Sequence, residues 1–185
     1  MKESNVRERI LDVASRLFYD QGYNLTGINQ IIEEADIARG SLYNHFASKT
    51  DLLVAYLWQY QENLFAEIEA YLRPVTDPKK KIPAFFDFRI LRQQKQAFRG
   101  CPFSKISAEV SRQDDEVNAV VVAQKNGMKQ IIRKLVEQSG HRKVLNDEML
   151  TELIFTLQEG AIVTGVIYRN SEPMKNAKKV VMELL

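Results

Sequence analysis

Arg39, Ser41, Tyr43, Asn44 and His45 crowd into one short helical pattern, and each carries a hydrogen-bonding head. Arginine can grip a guanine edge through two hydrogen bonds, and asparagine can do the same for adenine. Arg39 and Asn44 are therefore read as base-contacting residues. Ser41 suits either a base or a phosphate, and Gly40 removes a side chain so that the backbone can approach a duplex closely. Tyr43, His45, Lys49 and the Thr26 hydroxyl, with Gly27 beside it, suit phosphates, which fix register rather than sequence. Lys49 also opens a helix, and a helix N-terminus favours anions.

Other chemistries find little support. His45, His141 and Cys101 are the only strong soft-metal ligands, and they lack the spacing of a zinc site. No glycine-rich phosphate loop and no nucleophile elbow occurs. The acidic pairs Glu33-Glu34 and Asp114-Asp115 are adjacent in sequence and diverge on a helix. No metal, cofactor or catalytic residue is expected, and the chain is not read as an enzyme.

The elements that position the polar set are helical. Val6, Ile10, Leu11, Ala14, Leu17 and Phe18 recur at helical spacing, and Gly22 ends that helix. Thr26 is read as the N-cap of a second helix, with Ile28, Ile31, Ile32 and Ala35 facing inward. A break at Asp36 lets a third helix, with Ile37, Leu42 and Phe46 inward, meet the second at a steep angle. That is a helix-turn-helix over about residues 27–46. Ser48-Lys49-Thr50-Asp51 is a capping box opening a long helix to Leu72, roughly 35 Å at 1.5 Å per residue. Pro74 to Pro83, PVTDPKKKIP, reads as a linker and its lysine run as a solvated loop. Further helices are expected over about 84–98 and 104–111, from Asp114 or Asp115 to Gly140, from Asn146 to about Tyr168, and from Pro173 to Leu185. No strand pattern emerges, so the fold class is all-α with about nine helices. Two domains are expected, 1–48 and 49–185.

The chain has 185 residues, of which 45% are hydrophobic, enough for a core, and a net charge of +2. Residues 1–50 hold six basic side chains (Lys2, Arg7, Arg9, Arg16, Arg39, Lys49) and seven acidic ones (Glu3, Glu8, Asp12, Asp20, Glu33, Glu34, Asp36). The expected DNA-binding segment therefore lacks the basic footprint usual for a nucleic-acid binder, and Arg39, His45 and Lys49 must act through their local placement on one surface. No unbroken run of about 18 apolar residues suggests a membrane span. The charged N-terminus has no signal region, and the single cysteine fits a reducing cytoplasm.

Residues 4–52 resemble the N-terminal domain of the TetR family of bacterial repressors. The resemblance is carried by Leu17-Phe18, Gly22, Thr26, Ile28, Ile31, Ala35, Ile37, Gly40, Leu42, Tyr43, His45, Phe46, Lys49 and Leu52. Two positions depart from the family pattern. Asp36 stands where a turn glycine is usual, and Ala38 where a Ser or Thr caps the recognition helix.

The resemblance implies a homodimer that binds a double-stranded, pseudo-palindromic operator, and a helical C-terminal domain that dimerises and senses a small molecule. By pattern, Leu153, Leu157, Gly160, Ala161, Gly165, Val181 and Leu184 form the interface, the small residues allowing close approach. Trp58, Phe85, Phe88, Arg89, Arg92, Cys101, Phe103 and Tyr168 are candidates for the effector site, as are the aromatic Phe65, Phe86 and Phe98. Gly100-Cys101-Pro102-Phe103 with Ser107-Ala108-Glu109 resembles a segment of one TetR subgroup and is expected to form the pocket wall. An effector there would tilt the long helix 49–72 and release DNA. Two alternatives stay open: a TetR-fold protein controlled by a protein partner or by Cys101 oxidation, and an all-α enzyme or interaction domain that does not touch DNA.

Overall fold

The computed structural model describes residues 2–111, 114–141 and 144–185. Met1, which opens the expected first domain, lies outside them. Among the described residues there are nine helices and no strand: α1 (Lys2–Gln21), α2 (Ile28–Glu34), α3 (Arg39–His45), α4 (Lys49–Leu72), α5 (Pro78–Lys95), α6 (Pro102–Glu109), α7 (Asp115–Ser139), α8 (Asp147–Tyr168) and α9 (Glu172–Leu184).

The ends of these helices follow local chemistry. Gly22, at φ 93°, leaves α1 in the left-handed region that L side chains avoid. The Ser48 hydroxyl accepts the Asp51 N–H at 3.0 Å and caps α4. Asp114 accepts from Val117 N at 3.2 Å, and Asn146 accepts from Met149 N at 2.8 Å. These two contacts cap α7 and α8.

The second part of the expected linker, from Pro78 to Pro83, is helix instead. Asp77 accepts the Lys79 N–H at 3.0 Å and Pro78 takes the first helical position, so α5 begins six residues before Ala84 and contains the lysine run and Pro83. A proline at the first position costs nothing, because that N–H has no helical partner. Pro83 forgoes one bond near the helix end. The other end is also earlier than expected: Ala97 and Phe98 both turn left-handed, at φ 49° and 57°.

The chain forms two compact units. Unit 1 joins Met1–Glu62 to Pro102–Val122. Its core is Ile10, Ala14 and Phe18 of α1, Ile31 of α2, Leu42 of α3, Leu52, Leu53 and Leu57 of α4, and Phe103 of α6, all buried. Phe18 packs its ring 5.5 Å from Tyr23 and 5.9 Å from Tyr56. Unit 2 joins Asn63–Cys101 to Ala123–Leu185, with Ile68, Phe85, Phe86, Met128, Ile132, Ile154 and Val181 at its centre. Helix α9 packs on both α8 and α5.

By length and composition alone α8 is apolar enough to cross a membrane, a property that a search for unbroken apolar runs does not register. In unit 2 its inner face is packed, and Glu159 and Glu152 pair with Lys125 and Lys129 of α7 at 2.5 and 2.8 Å. Such pairing is the mark of a helix inside a helical domain.

Candidate nucleic-acid interface

Helix α3 has only seven residues and draws its stability from packing rather than from its own length. Leu42 is fully buried, and Phe46, which ends the helix, is almost so. Burial of each side chain contributes on the order of 1.5–3 kcal/mol. Arg7 covers Phe46, its guanidinium 5.0 Å from the ring centre. Asp36 takes the left-handed conformation at φ 50°, and its carbonyl accepts from Arg9 at 3.2 Å, so the turn stands without glycine. Ala38 precedes α3 with no side-chain cap.

With Leu42 and Phe46 fixed inward, the remaining residues of α3 turn outward. Arg39, Gly40, Tyr43 and Asn44 are exposed, and Ser41 and His45 are half-buried. The Arg39 guanidinium lies 5.8 Å from the Tyr43 ring centre. A Cβ added at Gly40 or at Gly27 would meet nothing within 4 Å, so the backbone is open to solvent at both positions.

Lys49, half-buried, places its ammonium 4.1 Å from the Tyr23 ring centre. Burial lowers its pKa below the usual lysine value, and the Glu109 carboxylate offsets part of that. Between α1 and α2, Arg16 pairs with Glu34, which also accepts from Gln30 at 2.9 Å. These bonds hold the Glu34 carboxyl below its usual range.

Thr26 departs from expectation. It is 1% exposed, its hydroxyl donates to Gly22 O at 2.6 Å and accepts from Gln21 Nε2 at 3.2 Å, and Gly27 rather than Thr26 occupies the N-cap of α2. The hydroxyl locks the α1–α2 loop instead of facing a phosphate. Sequence reasoning also missed the partner of that loop. Glu109 of α6 accepts from Asn24 N, and Lys105 donates to Tyr19 O at 3.2 Å. Contacts across some 85 positions of chain leave no periodic trace.

The expected effector residues do not form one set. Trp58 and Phe103 belong to unit 1, where Trp58 is exposed and Phe103 is buried edge-on to Tyr60. The other nine belong to unit 2. There Phe85 is core against Phe86, Arg89 is buried, and Tyr168 is 66% exposed. Phe88 and Arg92 share a shallow groove of about 380 Å³ with Tyr71, and Arg92 is paired with Glu67. Cys101 is half-buried, 3.7 Å from Lys125 Nζ.

The expected interface also needs correction. Ala161, Gly165 and Val181 are buried within unit 2 and cannot meet a second copy. The small residue at 165 serves α5 instead: a Cβ there would stand 2.7 Å from Gln93 Nε2, the group that donates to Ala161 O at 3.3 Å. Leu153, Leu157 and Leu184 are half-buried and Gly160 is exposed. The outward stripe of α8 runs instead through Met149, Leu153, Gly160, Val163 and Ile167 at heptad spacing.

Residues 10–56 match the family described as "Bacterial regulatory proteins, tetR family", and residues 78–180 match "Transcriptional regulator LmrA/YxaF-like, C-terminal domain". The chain belongs to the TetR family. It is 28% identical over 187 residues to the HTH-type transcriptional regulator LmrA of Bacillus subtilis (strain 168), spanning 100% of this chain and 99% of that one. It is 25% identical over 190 residues to the HTH-type transcriptional repressor DhaR of Mycobacterium sp. (strain GP1), with coverage of 100% and 94%. The crystal structure of reduced E. coli NemR shares the fold at a TM-score of 0.86 and 22% identity, covering 97% of each chain. This TetR-family chain is a DNA-binding transcriptional regulator and not an enzyme. Regulators of the family bind DNA operators and typically dimerise.

Proposed function

We propose that two copies of the chain bind a pseudo-palindromic operator and that a small-molecule effector releases them, so that the protein acts as a cytoplasmic repressor. The observation that carries the reading is the outward set Arg39, Gly40, Tyr43 and Asn44 on a helix pinned from behind by Leu42 and Phe46. Arg39 and Asn44 are assigned to base edges. Ser41, Tyr43, His45 and Lys49 are assigned to the backbone of the duplex, with Gly27 and Gly40 allowing close approach. Two such heads address successive major grooves about 34–36 Å apart.

The functional division is taken at 1–48 for DNA and 49–185 for sensing and dimerisation. Dimerisation is supported by the apolar stripe of α8, where Val163 and Ile167 are 52% and 68% exposed. Stripes of this kind on a soluble domain mark contact surfaces. Helix α4, unbroken from Lys49 to Leu72, carries the link. An effector that favours one setting of α4 shifts DNA affinity by a coupling of ~1–3 kcal/mol.

The test is selection of bound fragments from random duplexes by the full chain. Recovery of a motif with twofold symmetry, bound less tightly as salt rises, is the expected result. Enrichment of an asymmetric motif, or of none, contradicts the proposal.

A further inference from the structure

An open cleft of about 700 Å³ lies wholly within unit 2, between the last turns of α4, the first turn of α5 and the second half of α7. Of the residues expected to bind an effector, Phe65 alone lines it. Its apolar wall is Phe65, Ile68 and Leu72 of α4 with Ile131 and Leu135 of α7. An edge of the Phe65 ring packs against α7 where position 127 is glycine: a Cβ there would stand 2.7 Å from Phe65 Cε2.

The rim of the cleft is cationic. Arg73, Lys81 and Lys134 all border it, against one acid, Glu69, which sits 3.7 Å from Arg73. The two lysines are thus in excess over the acid. A cleft of this size is in the range that takes a drug-sized molecule. An apolar wall with surplus positive charge at its edge complements one kind of occupant: an apolar body ending in a single anionic head.

We infer that this cleft binds a free amphipathic carboxylate, an alkyl or aryl chain packed along Phe65, Ile68 and Leu135 with its carboxylate at Lys81 and Lys134. The inference rests on the effector reading above for its regulatory meaning, but binding and release are measured separately. A ligand here touches α4 over its last two turns, the helix whose first residue is Lys49.

The experiment is calorimetric titration of the full chain with octanoate and decanoate, and with 1-decanol and decyltrimethylammonium as neutral and cationic probes of equal chain length. Decanoate is expected to bind most tightly, and each added methylene to strengthen binding by up to about fourfold. The double variant Lys81→Gln/Lys134→Gln, the first half-buried and the second exposed, should lose about fivefold for decanoate and little for decanol. Equal affinity for decanol and decanoate, retention of decanoate by the double variant, or no binding of any probe overturns the inference. A fluorescent operator duplex in the same solutions reports the other question. If decanoate binds through the two lysines while operator occupancy stays constant, the cleft assignment stands and the effector reading fails.

Discussion

Glu109 and Asn24 are joined twice: the Glu109 carboxylate accepts the Asn24 backbone N–H at 3.0 Å, and the Glu109 carbonyl accepts from Asn24 Nδ2 at 3.0 Å. This pair ties α6 to the loop that leads into α2. Gly22 belongs to the same arrangement, since a Cβ on it would lie 3.0 Å from Glu109 Oε1. The segment Pro102–Val122 therefore forms one unit with the helix-turn-helix although it lies far along the chain. Glu109→Ala is expected to cost about 1 kcal/mol of stability, as for the loss of a solvent-touched hydrogen bond. Amide exchange at Asn24 should quicken. Unchanged exchange at Asn24 would show that the loop holds its shape without α6.

How much of this was readable in advance depended on the range of the interaction. Helices set by periodicity and caps, such as α4 with Ser48 or α8 with Asn146, follow from residues within one turn of each other. The lysine run misled because three adjacent ammonium groups suggest a solvated loop, while the deciding groups are Asp77 and Pro78 just before it. Thr26 misled because its hydroxyl fits a cap or a phosphate equally, and only the fold brings Gly22 O within 2.6 Å. Gly165 was rightly read as a point of close approach but to the wrong neighbour, Gln93, 72 positions earlier in the chain. The outward exposure of Arg39 and Asn44 was legible because Leu42 and Phe46, interleaved with them, fix which side faces inward.

Lys49 should give DNA binding a pH dependence. Burial, the larger influence, lowers its pKa while Glu109 raises it. The folded protein therefore sheds this proton below the ordinary 10.5. A phosphate restores preference for the ammonium, so binding takes up a proton and affinity falls as pH rises through the lowered value. For folding the sign is opposite. The cost of the buried charge is fully present below the folded pKa and is relieved as pH climbs toward the unfolded value. Fluorescence titration of a duplex at increasing pH, wild type beside Lys49→Ala, checks this. The variant should lose the alkaline fall and bind every sequence more weakly, with a flatter salt slope.

Arg39→Ala should relax base preference, because an arginine that reads a guanine edge discriminates by ~1–3 kcal/mol. Competition between the selected operator and single-base variants supplies the measurement. The penalty should concentrate at one base pair in each half-site. An equal loss on all duplexes would assign Arg39 to the phosphates instead.

The corrected face of α8 separates two substitutions that look alike in sequence. Ile167 is 68% exposed, so Ile167→Asp leaves the core of unit 2 intact while placing a charge in the apolar stripe. A carboxylate desolvated between two copies costs several kcal/mol, enough to dissociate the pair at micromolar concentration. Gly165→Leu should act differently, since its side chain would collide with Gln93 Nε2 and Asn170 O, at 2.7 and 3.3 Å from the Cβ position. That variant should lower the melting temperature at any protein concentration. Light scattering with thermal denaturation tells the two apart: a folded monomer is expected for Ile167→Asp and a destabilised chain for Gly165→Leu. An intact dimer of Ile167→Asp would move the contact off the stripe that runs from Met149 to Ile167.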